Sequence, residues 1–176
     1  MSKRSIEQLK KDEYKILEEL QKNAKENIDT IAKHCGFSRQ KVWRTMKQLE
    51  KHQVIWGYSA ITNQETYNKK QFMMFIKRTY KPLDKKIINK IDSINLEDIA
   101  LPHGVIIESS CYVHGNYDWV ISFIAQDLNQ AKTFCDALYT GFPGAIEQID
   151  LQQILYCVRK NYIFNPNRKK LHDLME

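Results

Sequence analysis

Arg39, Gln40, Lys41, Trp43, Arg44 and Lys47 crowd into one short segment, and their shared chemistry is that of nucleic-acid contact. A guanidinium can span guanine O6 and N7, an amide can span adenine N6 and N7, and an ammonium neutralises phosphate without reading sequence. Trp43 can meet a thymine methyl group or a sugar, or it can pack at a dimer or domain interface. Groups of this kind act together only if one rigid element presents them on one side. Val42, Met46 and Leu49 recur at i, i+4 and i+7 in the same segment, which predicts a helix whose apolar stripe turns inward while Gln40, Trp43, Arg44 and Lys47 share the opposite face.

The residues upstream are those needed to hold such a helix. Ile28, Ile31, Ala32 and Cys35 form an apolar stripe of their own. Gly36 follows where a helix end needs the left-handed conformation, and Ser38 stands where the next helix needs an N-cap oxygen. The pair reads as a helix-turn-helix, whose second helix fits a DNA major groove. Asp12 is the predicted N-cap of an earlier helix from about Glu13 to Lys22, carrying Ile16, Leu17 and Leu20. Three helices make the minimal core. Val54 to Thr62 then alternates around Gly57 and predicts a short extended wing or hinge. Residues 1–62 are thus a helix-turn-helix domain with its β hinge, and 63–70, NQETYNKK, a linker with no periodicity to bury.

Beyond the linker the period changes. Gln71 to Tyr80 reads as a strand, Pro82 breaks it, and Asp84 opens a helix with Ile87, Ile88, Ile91 and Ile94. Val105 to Val113 and Trp119 to Ala125 are strand-like, joined by HGNYD, a hairpin turn in composition. A helix with Ala131, Phe134, Cys135 and Leu138 follows, GFPG ends it, and Ile146 to Lys160 alternates as the last strand. The order βαββαβ over 71–160 predicts a ferredoxin-like antiparallel sheet with both helices on one face, so the chain as a whole is α+β. For the tail, 161–176, a short terminal helix and disorder are the two alternatives, the first suggested by Leu171 and Leu174 behind a basic triplet.

Charge separates these parts. The net +6 is uneven: residues 1–62 hold 13 Lys and Arg against 8 Asp and Glu, residues 63–160 hold 11 against 11, and the rest 3 against 2. A basic footprint on the first part alone points to a polyanion partner there, double-stranded DNA. No run approaches the roughly 20 apolar residues of a membrane span, and the N-terminal residues lack the apolar middle of a signal peptide, so a cytoplasmic location and no membrane partner are expected. Cys35, Cys111, Cys135 and Cys157 are scattered singly and read as reduced, mostly buried thiols. Neither they nor the five His show metal-ligand spacing, so no metal or cofactor is expected. Serine-elbow, P-loop, zincin and dinucleotide motifs are also missing, which argues against an enzyme.

With Ile16 to Lys25, IAKHCGFS at 31–38, Val42 and the LE of Leu49 and Glu50, VIWGY at 54–58, HGNYDWVI at 114–121 and the PG of Pro143 and Gly144, the chain resembles the Lrp/AsnC, or feast/famine, regulators over nearly its whole length. The resemblance implies a transcription regulator that forms a homodimer or higher homo-oligomer through the βαββαβ half. It also implies an amino-acid effector, with Gly115, Tyr117 and Asp118 of the Gly-x-x-Asp turn as effector-binding residues. Departures are visible. Thr45 stands where the family usually has Arg, Gln53 where it usually has a helix-ending Gly, and Leu151 where many relatives carry a ligand-contacting hydroxyl. A tetrapyrrole (sirohaem-type) decarboxylase sharing the fold is the alternative; it would need His and Arg gathered at a pocket, and Arg78, His103, His114 and Arg159 are the candidates.

Overall fold

The computed structural model of the chain describes residues 3–174, helices first and strands after. Two compact units divide it: Met1–Ile61 with Val158–Lys169, and Thr62–Cys157 with Lys170–Glu176. The α+β organisation expected from the periodicities is the one observed, a helix-turn-helix unit and a helix-backed antiparallel sheet.

In the first unit, α1 (Lys3–Lys22), α2 (Ile28–Cys35) and α3 (Arg39–Lys51) enclose a core of Ile16, Leu20, Ile31, Ala32, Cys35 and Val42. Helix α1 begins far earlier than Glu13. No Gly or Pro interrupts residues 3–22, so nothing stops the helix from extending backwards, and Asp12 lies in its interior rather than at its cap.

At its far end α3 closes without glycine. Gln53 adopts φ 57°, and Val54 N–H reaches back to Leu49 C=O at 2.9 Å, the hydrogen-bond pattern of a Schellman cap. A side chain in that region is strained by roughly 1–2 kcal/mol. Gln53→Gly is therefore expected to raise the stability of this unit by about 1 kcal/mol in urea titration, and a decrease would contradict the cap. The same bonds explain the wing. Val54 and Ile55 both spend their N–H groups on Leu49 C=O, and residues 54–61 pair with no strand among the described residues, where a short extended segment was expected.

The second unit opens with a 3₁₀ turn, Gln64–Tyr67, capped by Asn63 and closed by Asn68 at φ 53°, within the stretch read as a linker. Then come β1 (Lys70–Arg78), α4 (Lys85–Ser93), α5 (Leu96–Ala100), β2 (Ile106–Tyr112), β3 (Trp119–Ala125), α6 (Leu128–Gly141) and β4 (Ile146–Ile154). Strand order is β2-β3-β1-β4, with every neighbouring pair antiparallel. Phe72, Met74 and Ile76 of β1 and Ile121 and Phe123 of β3 bury under Phe134 and Leu138 of α6, Ile87 and Ile91 of α4 and Ile99 of α5. The single helix expected after Asp84 is two, with Asn95 in an extended conformation at the start of the second. Strand β4 ends at Ile154, short of Lys160, because its partner β1 runs out: Ile154 sits opposite Gln71.

Beyond β4 the chain returns to the first unit. Residues 158–169, which alternation and composition divide between the last strand and a tail, instead give that unit a hairpin of β5 (Arg159–Lys160) and β6 (Ile163–Phe164). A single 3₁₀ turn, Leu171–Leu174, follows it at the position suggested for a terminal helix.

Candidate nucleic-acid interface

Each junction of the helix-turn-helix is fixed by a side chain or a backbone group. Asn27 caps α2 by accepting from Asp29 N–H at 2.9 Å; Gly36 ends it at φ 71°, and Phe37 N–H returns to Ala32 C=O at 2.8 Å. Ser38 Oγ then accepts from Lys41 N–H at 3.3 Å and starts α3. Val42 is fully buried and Leu49 nearly so, which sets the rotation of the helix. Arg39, Gln40, Trp43, Arg44 and Lys47 are exposed on it, Trp43 by 52%.

Those side chains differ in their engagements. Arg39 pairs with Asp29 at 3.0 Å and Lys47 with Glu50 at 2.7 Å, both at exposed sites where such pairs exchange readily with an incoming phosphate. Glu50 also accepts from the Tyr58 hydroxyl at 3.2 Å, and the Lys47 hydrogen bond is the main reason its carboxyl sits below the ordinary value. Arg44 has no ion-pair partner among the described residues.

Lys41 is in a different position from its neighbours. Its Nζ donates to Asp12 at 2.6 Å and lies 3.8 Å from the centroid of the Phe37 ring, so its charge is directed to α1. Asp12 is buried, takes a second hydrogen bond from Gln8 at 2.9 Å, and has its pKa held below 3.8 chiefly by the Lys41 hydrogen bond. This Asp12–Lys41–Phe37 cluster locks α1 to the turn and to α3. Spacing in the sequence does not reveal it, because Asp12 lies far along the chain from the other two.

Charge follows the division into units. The unit with the helices carries 17 Lys and Arg against 8 Asp and Glu, a net +9, and the other unit 10 against 13, a net −3.

The effector candidates separate. Gly115 is exposed in the β2–β3 turn. Tyr117 lies against Phe75, ring centroids 5.3 Å apart, and donates a hydrogen bond to Asp150; that bond is the main cause that raises its phenol pKa. Asp118 accepts from Arg78 N–H at 2.9 Å and pairs with Arg78 Nε at 3.1 Å. Asp118 and Arg78 border a half-open cavity of about 330 Å³, otherwise largely apolar, with Leu83, Ile91, Trp119 and Phe142 in its lining; Gly115 and Tyr117 do not line it. Leu151 stands opposite Met74 and, partly buried, packs against the core, so its alkyl side chain contributes to the fold. Of the residues that a tetrapyrrole enzyme would gather, only Arg78 lines the cavity; His114 is exposed in the turn and Arg159 belongs to the other unit.

Among the described residues no group of three or more His, Cys, Asp or Glu is placed to hold a metal ion, and no helix is long and apolar enough to cross a membrane. The cysteines are free thiols. Cys35 is buried and Cys135 partly so, with its thiol pushed up to about 11 by burial, but Cys111 is exposed, contrary to the expectation of burial.

Residues 11–55 match the winged helix-turn-helix DNA-binding family. Solved structures resemble the chain along most of its length. A transcriptional regulator of Neisseria meningitidis in complex with L-Met superposes with a TM-score of 0.65 at 19% identity, over 89% of this chain and 96% of that one. An AsnC family transcriptional regulator from Agrobacterium tumefaciens gives 0.61 at 15%, over 88% and 95%. The leucine response regulatory protein of Mycobacterium tuberculosis gives 0.63 at 16%, over 85% and 94%. No curated protein matches in sequence.

Proposed function

We propose, from the premise that this chain is built as an Lrp/AsnC-like DNA-binding regulator, that it reads specific sequences in double-stranded DNA as a homodimer or larger homo-oligomer. The carrying observation is the exposed face of α3, where Gln40, Trp43, Arg44 and Lys47 stand clear of the core while Val42 and Leu49 fix their direction. Arg39, Gln40 and Arg44 are the proposed base readers and Lys47 a phosphate contact. Lys41, grouped with them by sequence, is proposed to serve as a strut. The location that follows from this reading is the cytoplasm, and its role is binding rather than catalysis.

Support for oligomerisation is the helix-free side of the sheet. Met73, Phe75 and Val120 lie there, on the strand positions that alternate with buried Phe72, Met74 and Ile121, and none reaches full burial in a single chain. A two-fold dimer that reads a symmetric site is proposed to set its twin α3 helices in successive major grooves, about one helical turn of DNA apart.

The second unit is proposed to take an amino-acid effector in the cavity bounded by Arg78 and Asp118. A zwitterion brings an ammonium for Asp118 and a carboxylate for Arg78, and the apolar lining suits an aliphatic or thioether side chain. The likeness to a regulator solved with L-Met supports this choice.

One experiment tests the reading. Selection from random duplexes with the full chain should return a two-fold symmetric site. Arg44→Ala should weaken binding to it about tenfold and relax the preference at one position of each half-site. Light scattering of the same sample should give a dimer or larger, and amino acids added in turn should shift affinity or melting. No enriched site, or an Arg44→Ala variant with unchanged preference, overturns the DNA reading. A monomer overturns the assembly, and indifference to every amino acid overturns the effector.

A further inference from the structure

We infer that residues 158–169 form a second DNA-contact surface, one that grips the phosphate backbone without reading sequence; this rests on the DNA-binding reading above. The segment holds four Lys and Arg and no Asp or Glu, and it falls in the same compact unit as the three helices. It raises the charge of that unit from +5 to +9. The second unit, from which the segment departs after β4, is acidic.

Its construction favours a surface of fixed charge over a loose tail. Arg159 pairs with Phe164 and Lys160 with Ile163 across the hairpin, Asn161 turns it at φ 52°, and Asn165 N–H closes it on Val158 C=O at 3.0 Å. The Arg159 guanidinium lies 4.9 Å from the Phe164 ring centroid and 5.7 Å from that of Tyr162, and Arg168 lies 5.6 Å from Phe164. Guanidinium groups held against aromatic rings lose little further freedom on binding, and their N–H edges are the part that phosphate oxygens engage. Phe164 and Tyr162 are about half exposed, so the stack sits at the surface.

Two considerations select duplex DNA as the occupant. The residues after α3, where a winged helix carries its wing, pair with no strand among the described residues, and this hairpin is the sheet that the unit does possess. A second copy of this chain that met it two-fold, surface to same surface, would bring like charge to one place, which positive charge of this density opposes. A polyanion meets no such penalty.

The test is fluorescence anisotropy of the full chain on a random-sequence duplex and on its selected site, over rising potassium chloride. An Arg159→Gln, Arg168→Gln, Lys169→Gln variant should lower the log-log salt slope by about 0.9 for each phosphate no longer neutralised, and should weaken both duplexes by the same factor. A companion Arg159→Lys, Arg168→Lys variant should keep the slope, because phosphate responds to charge; if it falls as far as the Gln variant, the stacked guanidiniums serve structure alone and the proposal fails. An Arg168→Gln, Lys169→Gln variant changes residues beyond β6 and controls for disruption of the hairpin; it too must lower the slope. An unchanged slope in the Gln variants, while Arg44→Ala still weakens binding to the selected site, overturns this surface and leaves the α3 reading standing. If the unaltered chain binds neither duplex at the lowest salt, both readings fall together.

Discussion

Phe123→Ala is expected to remove about 3–5 kcal/mol from the sheet unit and to leave the helix-turn-helix unit where it is. Phe123 is fully buried, stacked on Phe72 at 5.6 Å between centroids and met edge-on by Phe134 at 5.2 Å, so truncation empties the centre of the layer between strands and α6. The two units have separate cores with no residue in common. Urea titration followed by fluorescence can separate them, since Trp119 packs on the sheet core whereas Trp43 and Trp56 are exposed residues of the other unit. The Trp119 transition should move to lower urea. A decrease of less than about 1 kcal/mol would mean that the site collapses onto the gap.

Lys41→Met should cost about 1–3 kcal/mol in the helix-turn-helix unit, because it leaves the buried Asp12 carboxylate with Gln8 as its remaining side-chain donor. The pH dependence follows from direction. The Asp12 pKa is lowered in the native state, chiefly by the Lys41 hydrogen bond, so its contribution is complete above the ordinary value of 3.8 and is lost as pH falls from there through the lowered native value. The deficit of Lys41→Met should therefore be full at neutral pH and narrow in acid. A deficit that stays constant down to the acid limb would show that Lys41 acts through the Phe37 ring, over which its Nζ lies, rather than through the Asp12 carboxylate. If Lys41→Met instead lowers DNA affinity at unchanged stability, its assignment as a strut is wrong.

Local chemistry makes much of the architecture readable. Gly36 and Ser38 announce a helix end and a helix start through requirements that no distant residue alters, and Val42, Met46 and Leu49 give the direction of α3 through periodicity alone. The hairpin between β2 and β3 is equally open to reading, from Gly115, Asn116 and Asp118. What escapes depends on partners remote in the chain. Asp12 has the side chain of a cap, and only Lys41, brought to it by folding, shows it to be an interior anchor. The same fold directs the Lys41 ammonium to α1, although its place in the chain sets it among the basic residues of α3. Alternation continues past Ile154 in the sequence, but a strand lasts only as long as its neighbour, and the end of β1 is not written in β4. The cavity beside Arg78 and Asp118 is hidden for the same reason, since its walls come from separate stretches of the chain.

The place of β1 in the middle of its sheet governs how the molecule can be made. Met74 must find Leu151 before the layer is complete, so a nascent chain holds one edge of β1 unsatisfied until β4 has been made. The three helices need only neighbours already synthesised, and they can settle early. Their companion hairpin leaves the ribosome after β4, which makes the last piece of the sheet and the last piece of the basic unit arrive almost together.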